Sequence, residues 1–372
     1  MRLFVVCSGL GHVHRGFEAV ARTCFDELVD EPGVDAWLIN AAGAPHGRER
    51  LAPALRRGHA PARALGRMIG RDDYRAECLT YAVSLVPHLA LRRPDVVFFS
   101  DWPLARPLGM LRSASRLRYK LLLSNGAPGP PPYHPAIDHV QQPTPDLLRL
   151  ALGAGEPPAR HTLLPHGLRL SADYVAPSAD ERAQLRARLR LPADRRVLLS
   201  VAALNNWSKR LSYLIDEVAS LPAAERPFLA LVGQRDHETP DVVRAAESAL
   251  GPGGYSVQSA RPAELRDWYR AADVFALAST TEGFGLVLLE AMAEGLPCIC
   301  HDYGTPRFVL GDHGWFGDLR APGTIAGLLR AIGDDELADE PRRRRHAWVY
   351  ENFSWDVLRP RYVEMLERCA EA

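Results

Sequence analysis

Short apolar runs alternate with helix-length stretches twice along this chain, once from residue 2 and again from residue 195, a pattern of strand, crossover helix and parallel strand. Parallel strands bury both faces, so each half is restricted to an open sheet with helices on either side. In the first half, the apolar run 2–7 ends in Ser-Gly-Leu-Gly, and a helical stretch over 15–29 and an apolar run over 34–39 complete a βαβ opening. The spacing then predicts helices at 72–92 and 103–115, strands at 95–99 and 119–123, an extended segment at 139–143 and a helix at 145–152. Residues 127–138, APGPPPYHPAID, hold too much proline and glycine for anything but a loop. In the second half, strands are expected at 197–203, 228–232, 255–258 and 298–301, with helices at 208–220 and 240–250. A chain of 372 residues exceeds one comfortable core. We therefore expect two domains, 1–170 and 171–354, each an α/β doubly wound unit, followed by a helix at about 355–372.

Lys plus Arg and Asp plus Glu both number 45, so no overall field draws the chain to nucleic acid. The six cysteines form no CxxC pair and no zinc-spaced cluster with histidine, which points to free, mostly buried thiols in a reducing cytoplasm and to no metal site. The opening MRLFVVCSGLG is too short to span a bilayer and no cleavage site follows it, so a cytoplasmic location is expected. The basic segment 47–75 reads as a solvated surface, with peripheral contact to anionic lipid as its lesser reading. Arg342–Arg345 read as a solvated helix end.

Chemistry concentrates in residues 273–300, DVFALASTTEGFGLVLLEAMAEGLPCIC. A strand runs into the turn Gly283-Phe284-Gly285, and a helix follows in which Glu290 sits among Leu286, Val287, Leu288, Leu289, Ala291, Met292 and Ala293. No face of that helix reads as wet, so the Glu290 carboxylate starts out desolvated and needs donors. Glu282 lies in the preceding loop, and the free amides of the helix start point at whatever binds. Side chains lean toward a helix's N-terminus, so both acids are expected to face one crevice, a site suited to a polyol phosphate. An ordinary helix cap explains Glu282 but leaves Glu290 unexplained.

The Glu-Gly-Phe-Gly run with a second Glu eight residues after the first resembles the signature of retaining GT-B glycosyltransferases, specifically family 4, the glycosyl transferases group 1. SVAALNNWSKRLSYLIDEV resembles that family's first strand, phosphate loop and helix of the nucleotide-binding domain. AELRDWYRAADVFALAS resembles the stretch that feeds the signature, and GTPRFVLGDHGWFGDL and ENFSWDVLRPRYVEML its closing segments. The resemblance covers about 160–372 well and the first half loosely. It implies a GT-B architecture, two Rossmann-like domains facing across a cleft, with the terminal helix packing back on the acceptor-binding first domain. It also implies transfer of a sugar from a UDP- or GDP-linked donor to a hydroxyl of a small-molecule or glycan acceptor, with retention of configuration, no metal and no cofactor beyond the nucleotide sugar.

Lys209 follows the strand 197–203 at the carboxyl end of the sheet, where ligands of such folds bind, and matches the family lysine that contacts the donor diphosphate, with Arg210 beside it. A cation at a helix start opposes the dipole, which argues for an anionic partner. Glu282 with the amides of Phe284 and Gly285 is implied to hold the donor sugar, with Gly283 and Leu286 in the same turn, and Glu290 to take the ribose hydroxyls. The family's Gly-Arg pair is replaced here by Ala202 and Ala203, with Arg210 or Arg235 as the compensating cation. In the first domain, Gly9 and Gly11 offer bare backbone for phosphate approach, and His12, beside His14 and Arg15, is a candidate catalytic group. Where many members carry a histidine near the reacting sugar, this chain has Ser124, Asn125 and Gly126. Asn125 is expected to donate a hydrogen bond to a sugar hydroxyl, with His134 and His139 nearby. A dinucleotide oxidoreductase is disfavoured, because the third glycine of SGLGHVHRG is displaced from GxGxxG. A catalytically silent nucleotide-sugar binder and a membrane-associated transferase with a lipid-linked acceptor are the alternatives. Compact size and the proline-rich loop lean toward a soluble acceptor such as a sugar, aminocyclitol or secondary metabolite.

Overall fold

A computed structural model of the chain describes residues 1–13, 16–126 and 131–372, so His14, Arg15 and the 127–130 part of the proline-rich loop lie outside the described residues. Contacts divide it into two compact units, Met1–Arg169 with Trp355–Ala372, and Leu170–Ser354.

Seven strands build the first unit's sheet: β1 (Arg2–Val6), β2 (Asp35–Asn40), β3 (Glu49–Leu51), β4 (Val96–Phe99), β5 (Lys120–Ser124), β6 (His139–Gln142) and β7 (His161–Leu163). Their order is β3-β2-β1-β4-β5-β6-β7, with parallel pairing throughout. Successive side chains of β1 point to opposite faces. Leu3 and Val5 enter a cluster with Ala21, Cys24 and Phe25 of the helix Gly16–Leu28 and with Leu358, Tyr362 and Met365 of the terminal helix Trp355–Glu371. Phe4 and Val6 enter another with Cys78, Tyr81 and Leu85 of the helix Asp73–Arg92. With both faces covered, β1 is an unbroken apolar run rather than an alternating one.

The terminal helix is seated by one glycine. A Cβ on Gly167 would stand 2.7 Å from the Trp355 ring, so the indole occupies space that any other residue would fill. Trp355 packs on Tyr362 with ring centroids 4.5 Å apart, and the Tyr362 hydroxyl donates to the Pro165 carbonyl and accepts from Gln141 Nε2.

In the second unit, β8 (Val197–Val201), β9 (Phe228–Val232), β10 (Tyr255–Gln258), β11 (Val274–Leu277), β12 (Cys298–His301) and β13 (Gly314–Gly317) form a parallel sheet in the order β10-β9-β8-β11-β12-β13. The chain builds outward from β8 to β10 and then crosses back to begin β11 on the other side. Strand order therefore reverses between β8 and β11, the place where open α/β sheets bind ligands. The β8–β11 register covers Leu198–Leu199 against Val274–Phe275, short of the strand ends at Val201 and Leu277, so the two strands part toward their carboxyl ends.

Three local expectations need correction. The strand expected over 197–203 ends at Val201, and the helix expected from 208 starts at Leu211, because Arg210 sits in the left-handed region at φ 51° and breaks the helical run. Arg342–Arg345 are no solvated helix end: they lie inside the helix Asp339–Phe353, where Arg342 and Arg345 are buried. Their guanidiniums donate to the carbonyls of Leu337, Gly295 and Glu336, groups at segment ends that lack other partners of that strength. All six cysteines are buried and unpaired. No helix of the described residues is long and apolar enough to cross a membrane.

Candidate functional site

Two loops leave the second sheet where its order reverses, residues 202–210 after β8 and 278–285 after β11. They meet through side chains 73 residues apart: Lys209 Nζ donates to Glu282 Oε1 at 2.5 Å. Ser279 Oγ donates to the same oxygen at 2.6 Å, so Oε2 keeps its acceptor capacity. The Glu282 backbone N–H is held by the Tyr303 hydroxyl at 2.6 Å. Both charged groups are partly exposed, 23% for Lys209 and 15% for Glu282, so a ligand can reach them without unfolding either loop.

The loop after β8 is shaped by its own asparagines. Asn205 Oδ1 accepts from the Ser208 hydroxyl and the Lys209 backbone N–H, while Asn206 Oδ1 accepts from Ser212 N–H in the first turn of the helix Leu211–Ala219. Glu238 accepts the backbone N–H groups of Asn206 and Trp207. These local side-chain bonds replace a glycine-rich turn as the means of fixing the lysine. Arg210, expected beside the diphosphate, is engaged elsewhere: it donates to the carbonyls of Ala278 and Leu319 and lies over the Tyr213 ring. It ties the two loops together.

Gly283, Phe284 and Gly285 lead into the eight-residue helix Leu286–Ala293. Gly285 is left-handed at φ 86°, and a Cβ there would press on Leu288 at 3.1 Å, so the turn calls for glycine. Phe284 is buried and meets Phe353 edge to face. One side of the helix is open after all: Leu286, Val287, Glu290 and Glu294 are half-buried while Leu288, Leu289, Ala291, Met292 and Ala293 are buried. The expectation of a helix without a wet face is corrected by this strip, and Glu290 lies on it. Burial raises the Glu290 carboxyl above its ordinary value, opposed by a hydrogen bond from the Tyr269 hydroxyl at 2.7 Å. The structure thus brings Lys209 and Glu282 into contact and sets Glu290 on the open strip, bonded to Tyr269.

Candidates in the first unit behave differently. A Cβ on Gly9 would lie 1.9 Å from Glu18 Oε1, and one on Gly11 would lie 2.1 Å from the Ala42 carbonyl oxygen. Both glycines make room for the protein's own oxygens, which corrects their reading as bare backbone for a phosphate: a carboxylate already stands at Gly9. Both amide N–H groups of Asn125 are taken, by Tyr133 and Gln142 at 2.9 Å each. Its expected role as a free donor is corrected accordingly. His139 bonds Thr162, and burial lowers it to about 4.

His12 joins a network that the sequence did not reveal. Its Nε2 lies 3.4 Å from Glu77 Oε2, and its buried Nδ1 has no partner. Glu77 also accepts from Arg57 Nε and NH2, Arg57 NH2 donates to Ser8 Oγ, and Ser8 N–H and the Tyr74 hydroxyl donate to the buried Asp101. The signal was an acid flanked by Ala76, Cys78, Tyr81 and Ala82 on an otherwise apolar helix face, the same pattern that marks Glu290. Burial pushes the Glu77 carboxyl up, but hydrogen bonds from His12 and Arg57 outweigh it and hold the group at about 2. A carboxyl held below its ordinary value stabilises the fold above that value, and the contribution disappears as pH falls from about 4.5 toward 2. We expect Glu77→Gln to cost about 3 kcal/mol at pH 6, where Arg57 loses its countercharge, and to flatten the loss of stability between pH 5 and 3. Urea unfolding at the two pH values measures both; equal slopes for wild type and variant would remove Glu77 from the acid response.

Residues 181–352 match the family model described as glycosyl transferases group 1. A D-inositol 3-phosphate glycosyltransferase of Thermobispora bispora is 34% identical over 238 residues, 57% of this chain and 52% of the relative. The lipopolysaccharide core biosynthesis glycosyltransferase LpsE of Rhizobium meliloti is 28% identical over 184 residues, 49% of this chain and 52% of the relative. The chain spans about half the length of the curated relatives it matches. Among solved structures, sucrose-phosphate synthase from Thermosynechococcus elongatus superposes with a TM-score of 0.78 at 18% identity, covering 99% of this chain and 98% of that one. HepE of Anabaena in complex with UDP-glucose does so with a TM-score of 0.75 at 17% identity, covering 98% and 99%. The fold is GT-B.

Proposed function

Since the second unit of this chain belongs to the glycosyl transferases group 1, we propose that the protein is a retaining glycosyltransferase that moves a sugar from a nucleotide-diphosphate donor, UDP- or GDP-linked, to an acceptor hydroxyl. The observation that carries this reading is the Lys209–Glu282 contact between the two loops at the strand reversal, a cation and a hydroxyl acceptor side by side. In the reaction the bond from the anomeric carbon to the diphosphate oxygen breaks, and a bond to the acceptor oxygen forms on the same face. Negative charge grows on the departing phosphate, where Lys209 and the amides at the start of the helix Leu286–Ala293 counter it without needing a metal. That phosphate takes the acceptor's proton, so no protein base is required. Glu282 accepts from hydroxyls of the donor sugar, the amides of Phe284 and Gly285 fix its position, and Glu290 accepts from the ribose. The naming of the T. bispora relative for an inositol phosphate favours a small polyol acceptor over a polymer.

A thermal-shift screen of UDP, GDP and ADP tests the donor half. A ligand held only by the native state at a hundred times its dissociation constant adds about 2.7 kcal/mol and raises the melting point by several degrees. Incubation of the matching nucleotide sugars with polyol acceptors, followed by proton NMR of the anomeric coupling, tests the rest. Product of inverted configuration, or no shift with any of the three nucleotides, would sink the proposal.

A further inference from the structure

The charge at the site is short by one cation. A diphosphate brings at least two negative charges to the edge where Lys209 stands, and Lys209 is already paired with Glu282. Arg210 is spent on the carbonyls of Ala278 and Leu319, Arg307 on Asp302, and Arg320 on Asp318. Arg235 is different. It is exposed, and its side chain has no partner among the described residues.

Its backbone is fixed against the same loop as Lys209. Leu204, two residues past Ala202, forms a parallel bridge with Arg235, and Leu204 N–H donates to the Gln234 carbonyl at 2.9 Å. Asn205 then holds both loops at once: Nδ2 donates to Asp236 at 3.1 Å, and Oδ1 accepts the Lys209 N–H at 3.2 Å. Thr239 Oγ1 closes the arrangement by donating to the Leu204 carbonyl. Gly233, where a Cβ would lie 1.8 Å from the Ala202 oxygen, lets the strand ends approach this closely. An unpaired guanidinium on a backbone so firmly clamped to the lysine loop is placed to meet an anion that the lysine alone cannot neutralise.

We propose that Arg235 is the second diphosphate-binding cation of this enzyme, a specificity-determining contact that selects nucleoside diphosphates over nucleosides. It rests on the donor reading above. Arg235 donates to phosphate oxygens in the bound state and releases them with the leaving diphosphate, taking no part in proton transfer.

Isothermal titration of the full chain with UDP, GDP and ADP identifies the tightest diphosphate, which is then compared with its nucleoside. Arg235→Ala is expected to weaken the diphosphate about 10- to 100-fold, consistent with one charged hydrogen-bonding contact, leave the nucleoside within twofold, and keep the melting point. Arg235→Ala with Ala203→Arg, which returns a guanidinium beside the bridge, is expected to recover most of the loss. Unchanged diphosphate affinity in Arg235→Ala, or equal loss for diphosphate and nucleoside, overturns the assignment while leaving the donor reading intact. Failure of wild type to bind any of the three overturns both.

Discussion

Lys209→Ala is expected to lower kcat for sugar transfer about 10²- to 10³-fold, the cost of removing one preorganised group that meets charge as it develops in a transition state. The lysine is 23% exposed and makes its ion pair at the surface of the site, so its removal changes stability by no more than about 1 kcal/mol. Activity and fold therefore separate. The variant does more than delete a cation: Glu282 keeps its carboxylate, held by Ser279 and by the Tyr303 hydroxyl on its backbone, and now faces the diphosphate unopposed. Affinity for the free nucleoside diphosphate should fall along with the rate.

Glu282→Ala supplies the opposite sign. With the carboxylate gone, Lys209 is released from its partner and its full charge is available to phosphate, so the free diphosphate should bind as tightly as to wild type or more tightly. Transfer nonetheless falls, because the donor sugar loses its acceptor group. Calorimetry with the diphosphate and single-turnover transfer with the nucleotide sugar distinguish the two variants. If both weaken the diphosphate alike, the contact between them is a structural ion pair and the site lies elsewhere.

The alternation of apolar runs with helical stretches made the two sheets legible, since strands buried on both faces are written as runs such as Phe228–Val232 that need no partner to be recognised. The strands Glu49–Leu51 and His161–Leu163 escaped because three residues at a sheet edge carry no periodicity. The helix Ala60–Met68 escaped for another reason: Pro61, Gly66 and its arginines obscure an apolar stripe, although Gly66 is there to let the helix approach the Arg71 and Asp72 backbone. At the site, the pairing of Lys209 with Glu282 was legible as two loops at one sheet edge, because both follow strands that flank the reversal. What sequence could not supply was the use of each donor. Asn125 and Arg210 have the right chemistry at the right distance along the chain, yet Tyr133, Gln142 and two carbonyls claim their N–H groups. Local spacing does not register partners that arrive from other elements, and the buried Glu77–Arg57–His12 network is invisible to it for the same reason.

Gly233→Ala is expected to destabilise the second unit by about 3–5 kcal/mol, combining strain from a positive φ with forced separation of two strand ends. The added Cβ would stand 1.8 Å from the Ala202 carbonyl oxygen and 2.7 Å from its carbon, backbone atoms that no rotamer change can move aside. Ala202 N–H already donates to the Val232 carbonyl and Gly233 N–H to that of Gln258, so relief means breaking the ladder at the carboxyl ends of β8, β9 and β10. The Leu204–Arg235 bridge and the Asn205–Asp236 bond lie directly beyond, and with them the clamp on Lys209. Any protein that still folds should therefore bind nucleoside diphosphate more weakly than wild type. Gly323→Ala separates the two causes, since Gly323 is also left-handed at φ 84° but meets nothing within 4 Å, and should cost only about 1 kcal/mol. Urea unfolding of both variants decides the matter: equal costs would mean that backbone strain alone acts, and that the close approach of β8 and β9 does not hold the lysine loop in place.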